Sequence, residues 1–210
     1  MAKLCPALLV PDLAAYREAL AVVRQLTNRF QLDVIDGEFV DNRTVQPDDI
    51  QPLPGEIKLD IHLMVNDPVA YAEKVIRLKP SLTIFQYETP GDLSSAIARV
   101  RKSNLKVGIA LNPKTEISVL DEYAEQIAHV LIMSYPAGFA GQEFDKKVLH
   151  RIDAVRDKFP NVEIGIDGGI TADTVELVMQ HDIDVVNVNS YLFGSSDPLS
   201  RYSELMGKML

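Results

Sequence analysis

The sequence predicts a (β/α)8 barrel, in which parallel strands and helices alternate eight times and close on themselves, and three observations carry that prediction. Eight short β-branched or apolar runs recur along the 210 residues. Segments with apolar residues at helical spacing separate them. Polar residues collect at the C-terminal ends of the runs, where a barrel of this kind gathers its loops around one mouth. Such alternation implies parallel strands joined by crossover helices. The length is at the short end of the barrel range, so residues 1–210 are expected to form one domain.

The first run is KLCPALL (3–9), and Leu13, Tyr16, Leu20 and Val23 mark the helix behind it. In the second, QLDVI (31–35), strand alternation puts Gln31, Asp33 and Ile35 on one face and Leu32 and Val34 on the other. An amide and a carboxylate thus stand where a buried strand usually carries Val or Ile. Between Asp36 and Lys58 the helical period is weak, and Pro47, Pro52 and Pro54 cut the second helix to a turn or two. A long loop at the mouth is expected there. KLDIHLM (58–64) leads to a helix with Val69, Ala72, Val75 and Ile76, opened by Pro68. LTIFQ (82–86) is followed by Pro90, again suited to a first helical turn. KVGIA (106–110) and HVLIM (129–133) come next, then a helix carrying Val148, Ile152 and Val155. After EIGID (163–167), Thr171 before Asp173 reads as a helix cap. VVNVN (185–189) is the last run, with Pro198 at the next helix start and RYSELMGKML as a closing helix.

Composition narrows the function. An apolar content of 47% supports a real core, and a formal charge of −9 argues against nonspecific attraction to nucleic acid or anionic membrane. A single cysteine, Cys5, excludes an internal disulfide framework, and no secretory leader or membrane-length apolar run is visible. A cytoplasmic protein is expected. A phosphorylated metabolite stays open, because backbone amides hold phosphate without any lysine.

At the predicted mouth, Asp33 and Asp36 end the second strand, His62 the third, Gln86 and Glu88 the fourth and Asn112 the fifth. Ser134, Asp167 and the pair Asn189–Ser190 end the last three. Any one of these has a plain structural explanation, as a cap or a hydrogen-bonded core residue. Asp33, His62 and Asp167 together favour a site, because an unpaired buried carboxylate costs several kcal/mol and needs a cation, a proton or a metal. Glycines form a second group: GFAGQ (138–142), DGG (167–169) and SYLFGSSDP (190–198) follow strands six, seven and eight, and phosphate sites of these barrels commonly lie at the loops after strands seven and eight. No acid-Lys-acid cluster of the kind used by phosphate-binding decarboxylase or aldolase barrels is evident, since Lys58 and Asp60 come too early in their strand.

LDVIDGEFVDN, LDIHLMVNDP, VGIALNPKT, VLIMSYPAGFAGQEF, IGIDGGIT and DVVNVNSYLFGSSDP resemble, in order and spacing, the ribulose-phosphate 3-epimerases. The resemblance spans nearly the whole chain. It implies a barrel isomerase of carbohydrate metabolism, in the pentose phosphate pathway, that interconverts ribulose 5-phosphate and xylulose 5-phosphate with one divalent metal ion. Asp33 and Asp167 would be the acid/base pair, and with His62 would also bind the metal. Met64 and Met133 would lie against the reacting carbons. Gly138, Phe139, Ala140, Gly141, Gly168, Gly169, Asn189 and Ser190 would line the phosphate site. Inversion at a carbon beside a carbonyl needs this chemistry, because a proton must leave one face and return to the other.

Four positions depart from the family pattern. Gln31 replaces a metal-binding histidine, Gln86 another histidine, Ala7 a serine, and Asn189 a phosphate-loop glycine; in addition Asp41 stands where proline is usual. A glutamine oxygen suits a hard cation and is a poorer ligand than imidazole for zinc or iron. The pattern therefore predicts a weaker site shifted toward manganese or magnesium, with Gln31 as an optional fourth ligand. The replacements also leave open a second reading, a diverged barrel that binds a sugar phosphate without efficient turnover in a regulatory or interaction role. The metal among zinc, iron, manganese and magnesium, the particular ketose phosphate, and whether the chain forms a homo-oligomer are not fixed by the sequence.

Overall fold

In the computed structural model, which describes residues 2–210, eight parallel strands close into a barrel in chain order. They are β1 (Lys3–Leu8), β2 (Arg29–Ile35), β3 (Lys58–Met64), β4 (Leu82–Gln86), β5 (Val107–Leu111), β6 (His129–Met133), β7 (Glu163–Asp167) and β8 (Val185–Val188). The helices are α1 (Leu13–Leu26), α2 (Pro68–Ile76), α3 (Leu93–Lys102), α4 (Leu149–Lys158), α5 (Ala172–Val178), α6 (Ser190–Phe193) and α7 (Pro198–Lys208). No helix among the described residues is long and apolar enough to cross a membrane.

Alternation along each strand builds two apolar layers. Leu32, Val34, Ile61, Leu63 and Phe85 face outward into the core shared with the helices. Ile35, Met64, Ile84, Ala110, Leu131 and Met133 fill the barrel interior. Each fully buried side chain of this size contributes about 1.5–3 kcal/mol. Side-chain caps start five of the seven helices: Asp12, Asp67, Asp92, Thr171 and Asp197 each accept a bond from a backbone amide of the first turn.

Two connections lack an α-helix. Between β2 and β3 only a single 3-10 turn forms, at Pro47–Asp49, as the prolines require. Between β5 and β6 a 3-10 segment, Ile117–Tyr123, replaces the helix expected from strict alternation. Its apolar residues Ile117, Leu120 and Tyr123 recur every third position, which matches the three-residue turn of that helix. Pro90 also departs from expectation: it precedes the Asp92 cap and lies outside α3.

The end of the barrel opposite the mouth is closed by charge. Arg29 donates to Asp60 at 2.7 Å and through both terminal nitrogens to Glu163 at 2.8 and 2.7 Å. β2 begins two residues before its apolar run because Arg29 and Phe30 already pair with Lys58 and Leu59 of β3, and the part-buried guanidinium is neutralised there.

Candidate functional site

Strand register sets the site. Asp33 pairs with His62 across β2 and β3, and Met133 with Asp167 across β6 and β7. One cavity at the mouth is bordered by Asp33, His62, Met64, Met133, Gly138, Phe139, Ala140, Asp167 and Asn189, together with Leu9 and Tyr135. Asp33 and Asp167 are 7% and 8% exposed and His62 is fully enclosed, so all three are shielded yet reachable from the cavity.

Gln31 holds the carboxylates together. Its Nε2 donates to Asp33 Oδ1 at 2.8 Å and to Asp167 Oδ2 at 2.7 Å, and its Oε1 accepts from Asn187 Nδ2 at 3.0 Å. The amide thus turns its donors, not its oxygen, toward the carboxylates. For Oε1 to serve as a fourth ligand the group must turn over and lose the Asn187 bond.

The electrostatics follow from burial. Desolvation, then the neighbouring Asp33, pushes Asp167 up to about 7. Burial alone would lower His62, but the Asp33 carboxylate beside it outweighs that and holds the imidazole above its ordinary value.

Residues and geometry fit a divalent cation. Ligand atoms of Asp33, His62 and Asp167 all lie within 4.8 Å of one another. His62 Nδ1 is buried with no hydrogen-bond partner and stands 3.4 Å from Asp33 Oδ1, so the nitrogen and the carboxylate oxygen face each other with nothing between. Two carboxylates and an imidazole form a donor set that manganese, iron or zinc accepts.

The glycine loops divide between two adjoining pockets. Gly138, Phe139, Ala140 and Asn189 border the carboxylate cavity, whereas Gly141, Gly169 and Ser190 line the next one with Lys146, Thr171 and Thr174. Gly168 borders neither; its carbonyl accepts from Ser134 Oγ at 2.8 Å. Steric demands explain glycine in these loops, as two positions illustrate. At Gly138 (φ +123) a Cβ would meet Val40 Cγ2 at 2.6 Å, and at Gly169 (φ +63) it would meet Phe144 backbone at 2.8 Å. The loop after β2 reaches over the mouth here, with Asn42 Nδ2 donating to Gly138 O at 2.7 Å.

Other polar strand-end side chains are held by backbone groups, including Asn189, which also borders the cavity. Asp36 accepts from the amides of Glu38, Phe39 and Asn66, and Asn112 from that of Ala137. Asn189 donates to Ala7 O at 2.6 Å. Sequence reasoning missed Asn187, Tyr135 and Lys146; only Asn187 had a signal, lying two residues before Asn189 on the same strand face.

A sequence model described as the ribulose-phosphate 3 epimerase family matches residues 3–193. The chain belongs to this family. Among curated epimerases it is 31% identical over 204 residues to the cytoplasmic isoform of Oryza sativa, covering 94% of this chain and 90% of that one. It is 28% identical over 215 residues to ribulose-phosphate 3-epimerase of Schizosaccharomyces pombe, covering 100% and 94%. The Bacillus subtilis enzyme of the same name is 29% identical, covering 99% of both chains. Solved structures extend the fold further. The 3-hexulose-6-phosphate synthase of Salmonella typhimurium superposes with a TM-score of 0.74 at 15% identity, covering 99% of this chain and 98% of that one. The 3-keto-L-gulonate-6-phosphate decarboxylase of Vibrio cholerae gives 0.68 at 12%, covering 99% and 97%. At those identities the likeness concerns the barrel alone. The family assignment agrees with the placement of Lys58 and Asp60: Asp60 is paired with Arg29 at the closed end, away from Asp33 and Asp167.

Proposed function

We propose that this chain, as one barrel domain over residues 1–210, is a ribulose-phosphate 3-epimerase acting on ribulose 5-phosphate, in the cytoplasm. The observation that carries the proposal is the pair Asp33 and Asp167, on β2 and β7, facing one methionine-bordered cavity. One carboxylate removes the C3 proton as the electrons of the C–H bond move toward the C2 carbonyl; the other returns a proton to the opposite face. In the metal-free protein burial and Asp33 push the Asp167 carboxyl up to about 7, so it can carry a proton at neutral pH, and Asp33 takes the opposite role. Met64 and Met133 border the reacting carbons and exclude water without offering a proton.

A divalent ion held by Asp33, His62 and Asp167 would supply Lewis-acid polarisation of the substrate carbonyl. Backbone amides of residues 138–141, 168–169 and 189–190 hold the phosphate, with Lys146 lining the outer part of that region.

The test is exchange of the C3 proton of ribulose 5-phosphate with solvent deuterium. Exchange accompanied by xylulose 5-phosphate is expected. Binding without exchange would instead support the sugar-phosphate-binding alternative, which no observation at the site favours.

A further inference from the structure

A chain of hydrogen-bonded side chains runs from buried His62 away from the cavity to part-buried Glu88. His62 Nε2 lies 2.9 Å from Gln86 Oε1, and Gln86 Nε2 donates to Glu88 Oε2. The other oxygen of Glu88 accepts from the amide of Asn112 at 3.0 Å and from the Thr115 hydroxyl. Gln86 is 1% exposed and His62 fully enclosed, so water cannot substitute for the bond between them, while Glu88 is part-buried at the edge of a neighbouring pocket.

The direction of the chain follows from which groups can donate. Glu88 collects three donors, as an acceptor-only carboxylate does. Gln86 must therefore present its NH2 to Glu88, because its oxygen there would face another acceptor. Its Oε1 is left toward His62 and can only accept, so His62 Nε2 must carry a hydrogen. The neutral imidazole then has its lone pair on Nδ1, the nitrogen that faces Asp33 and the candidate metal position.

We infer that Glu88 is a positioning residue that, through the Gln86 amide, fixes His62 in the Nε2–H tautomer and so keeps Nδ1 available as a metal ligand. This rests on the epimerase reading only in the use made of the ligand, not in the tautomer. A carboxylate behind a metal-binding imidazole usually acts by direct contact. Here a neutral amide transmits its effect, and the transmission depends on the amide having distinct ends.

The test is nitrogen NMR of histidine-labelled, metal-free protein at a pH where the imidazole is neutral, with His62 assigned from a His62→Asn variant. Wild type should show Nε2–H and bare Nδ1. In Glu88→Gln the amide at 88 can also donate, Gln86 can turn over, and His62 should shift toward Nδ1–H. Manganese affinity by calorimetry should fall with it, roughly 10–100-fold. Gln86→Leu, apolar and similar in size, should lose the tautomer preference. Gln86→His should retain it, since one ring nitrogen accepts while the other donates. If Glu88→Gln does not fold, the Gln86 pair decides the matter alone. An unchanged His62 tautomer in Glu88→Gln or Gln86→Leu would overturn the inference. Wild-type protein that shows the tautomer yet binds no manganese would overturn the metal reading and leave the inference standing.

Discussion

Gln31 donates a hydrogen bond to Asp167 across 136 residues of sequence, Nε2 to Oδ2 at 2.7 Å. With its second N–H on Asp33, the amide offers both carboxylates partial positive charge at one point. That arrangement steadies two acids which burial and mutual repulsion would otherwise drive apart or protonate. A cation arriving at the same carboxylates competes with those two bonds, so the amide costs metal affinity twice: it supplies no imidazole nitrogen, and it is already bonded to two of the ligands.

Replacing Gln31 by His should therefore tighten zinc or iron binding by at least about tenfold, 1.4 kcal/mol, as a nitrogen ligand replaces competing donors. Calorimetric titration of metal-free wild type and Gln31→His reads this directly. Equal zinc affinity in the two proteins would mean that Gln31 is no handicap.

Asp33→Asn and Asp167→Asn should each lower the epimerisation rate by roughly 10²–10⁴, the usual contribution of a positioned acid or base. Asp167→Asn should also change stability in a pH-dependent way. The Asp167 carboxyl is raised from 3.8 to about 7 on folding, so between those values the folded state holds the extra proton. Its cost to stability begins as pH rises past about 4 and is complete above 7. The metal-free Asn variant should thus be more stable than wild type at pH 8, by roughly 1–3 kcal/mol, with the gain gone near pH 4. Urea unfolding at the two pH values measures it; a variant less stable at pH 8 would contradict the assignment.

Much of this architecture was legible along the chain, for identifiable reasons. Strands β3, β4, β6 and β7 coincide with the runs read along the chain, although Asp60, Thr83, His129 and Glu163 interrupt their apolar character. The 3-10 segment at Ile117–Tyr123 was not foreseen, since a spacing of three is easily taken for part of a 3.6-residue period. Asp33, His62 and Asp167 were visible because acids and imidazole on inward strand positions need an explanation. The bonds of Gln31 were not. They depend on closure of the barrel, which brings Asn187 and Asp167 to an amide more than 130 residues away.

Phosphate held by backbone amides should tolerate loss of a lysine better than gain of a methyl group. Gly169→Ala forces a Cβ to within 2.8 Å of Phe144 backbone at φ +63, which shifts the loop. Strain of about 1–3 kcal/mol is expected, appearing as a rise in KM with kcat less affected. Lys146→Ala, exposed at the outer pocket, should raise KM by only a few-fold, in line with about 1 kcal/mol for an exposed charge. The reverse order of effects in steady-state kinetics would move the phosphate site toward the lysine.

The closed end of the barrel gives a prediction independent of catalysis. Burial would raise the Glu163 carboxyl, but the two Arg29 bonds and His129 outweigh it and hold the group well below its ordinary 4.5. A carboxylate depressed on folding contributes stability that is fully present above its unfolded value and disappears as pH falls through the folded one. Glu163→Gln removes that contribution and leaves Arg29 with Asp60 alone. The Glu163 side chain is 30% exposed, which screens the pair, so a loss of roughly 1–3 kcal/mol at pH 7 is expected, not the larger cost of breaking a fully buried pair. The gap between wild type and variant should narrow steadily as pH falls below about 4.5, because the unfolded wild-type chain takes up a proton at Glu163 that the folded protein still excludes. Turnover of the folded variant should be unchanged, since Glu163 lies at the opposite end of β7 from Asp167. Denaturant melts at pH 7 and pH 3.5, beside kinetics at pH 7, test both halves. A stability difference that stays constant with pH would show that the Arg29 network does not depend on the charge of Glu163.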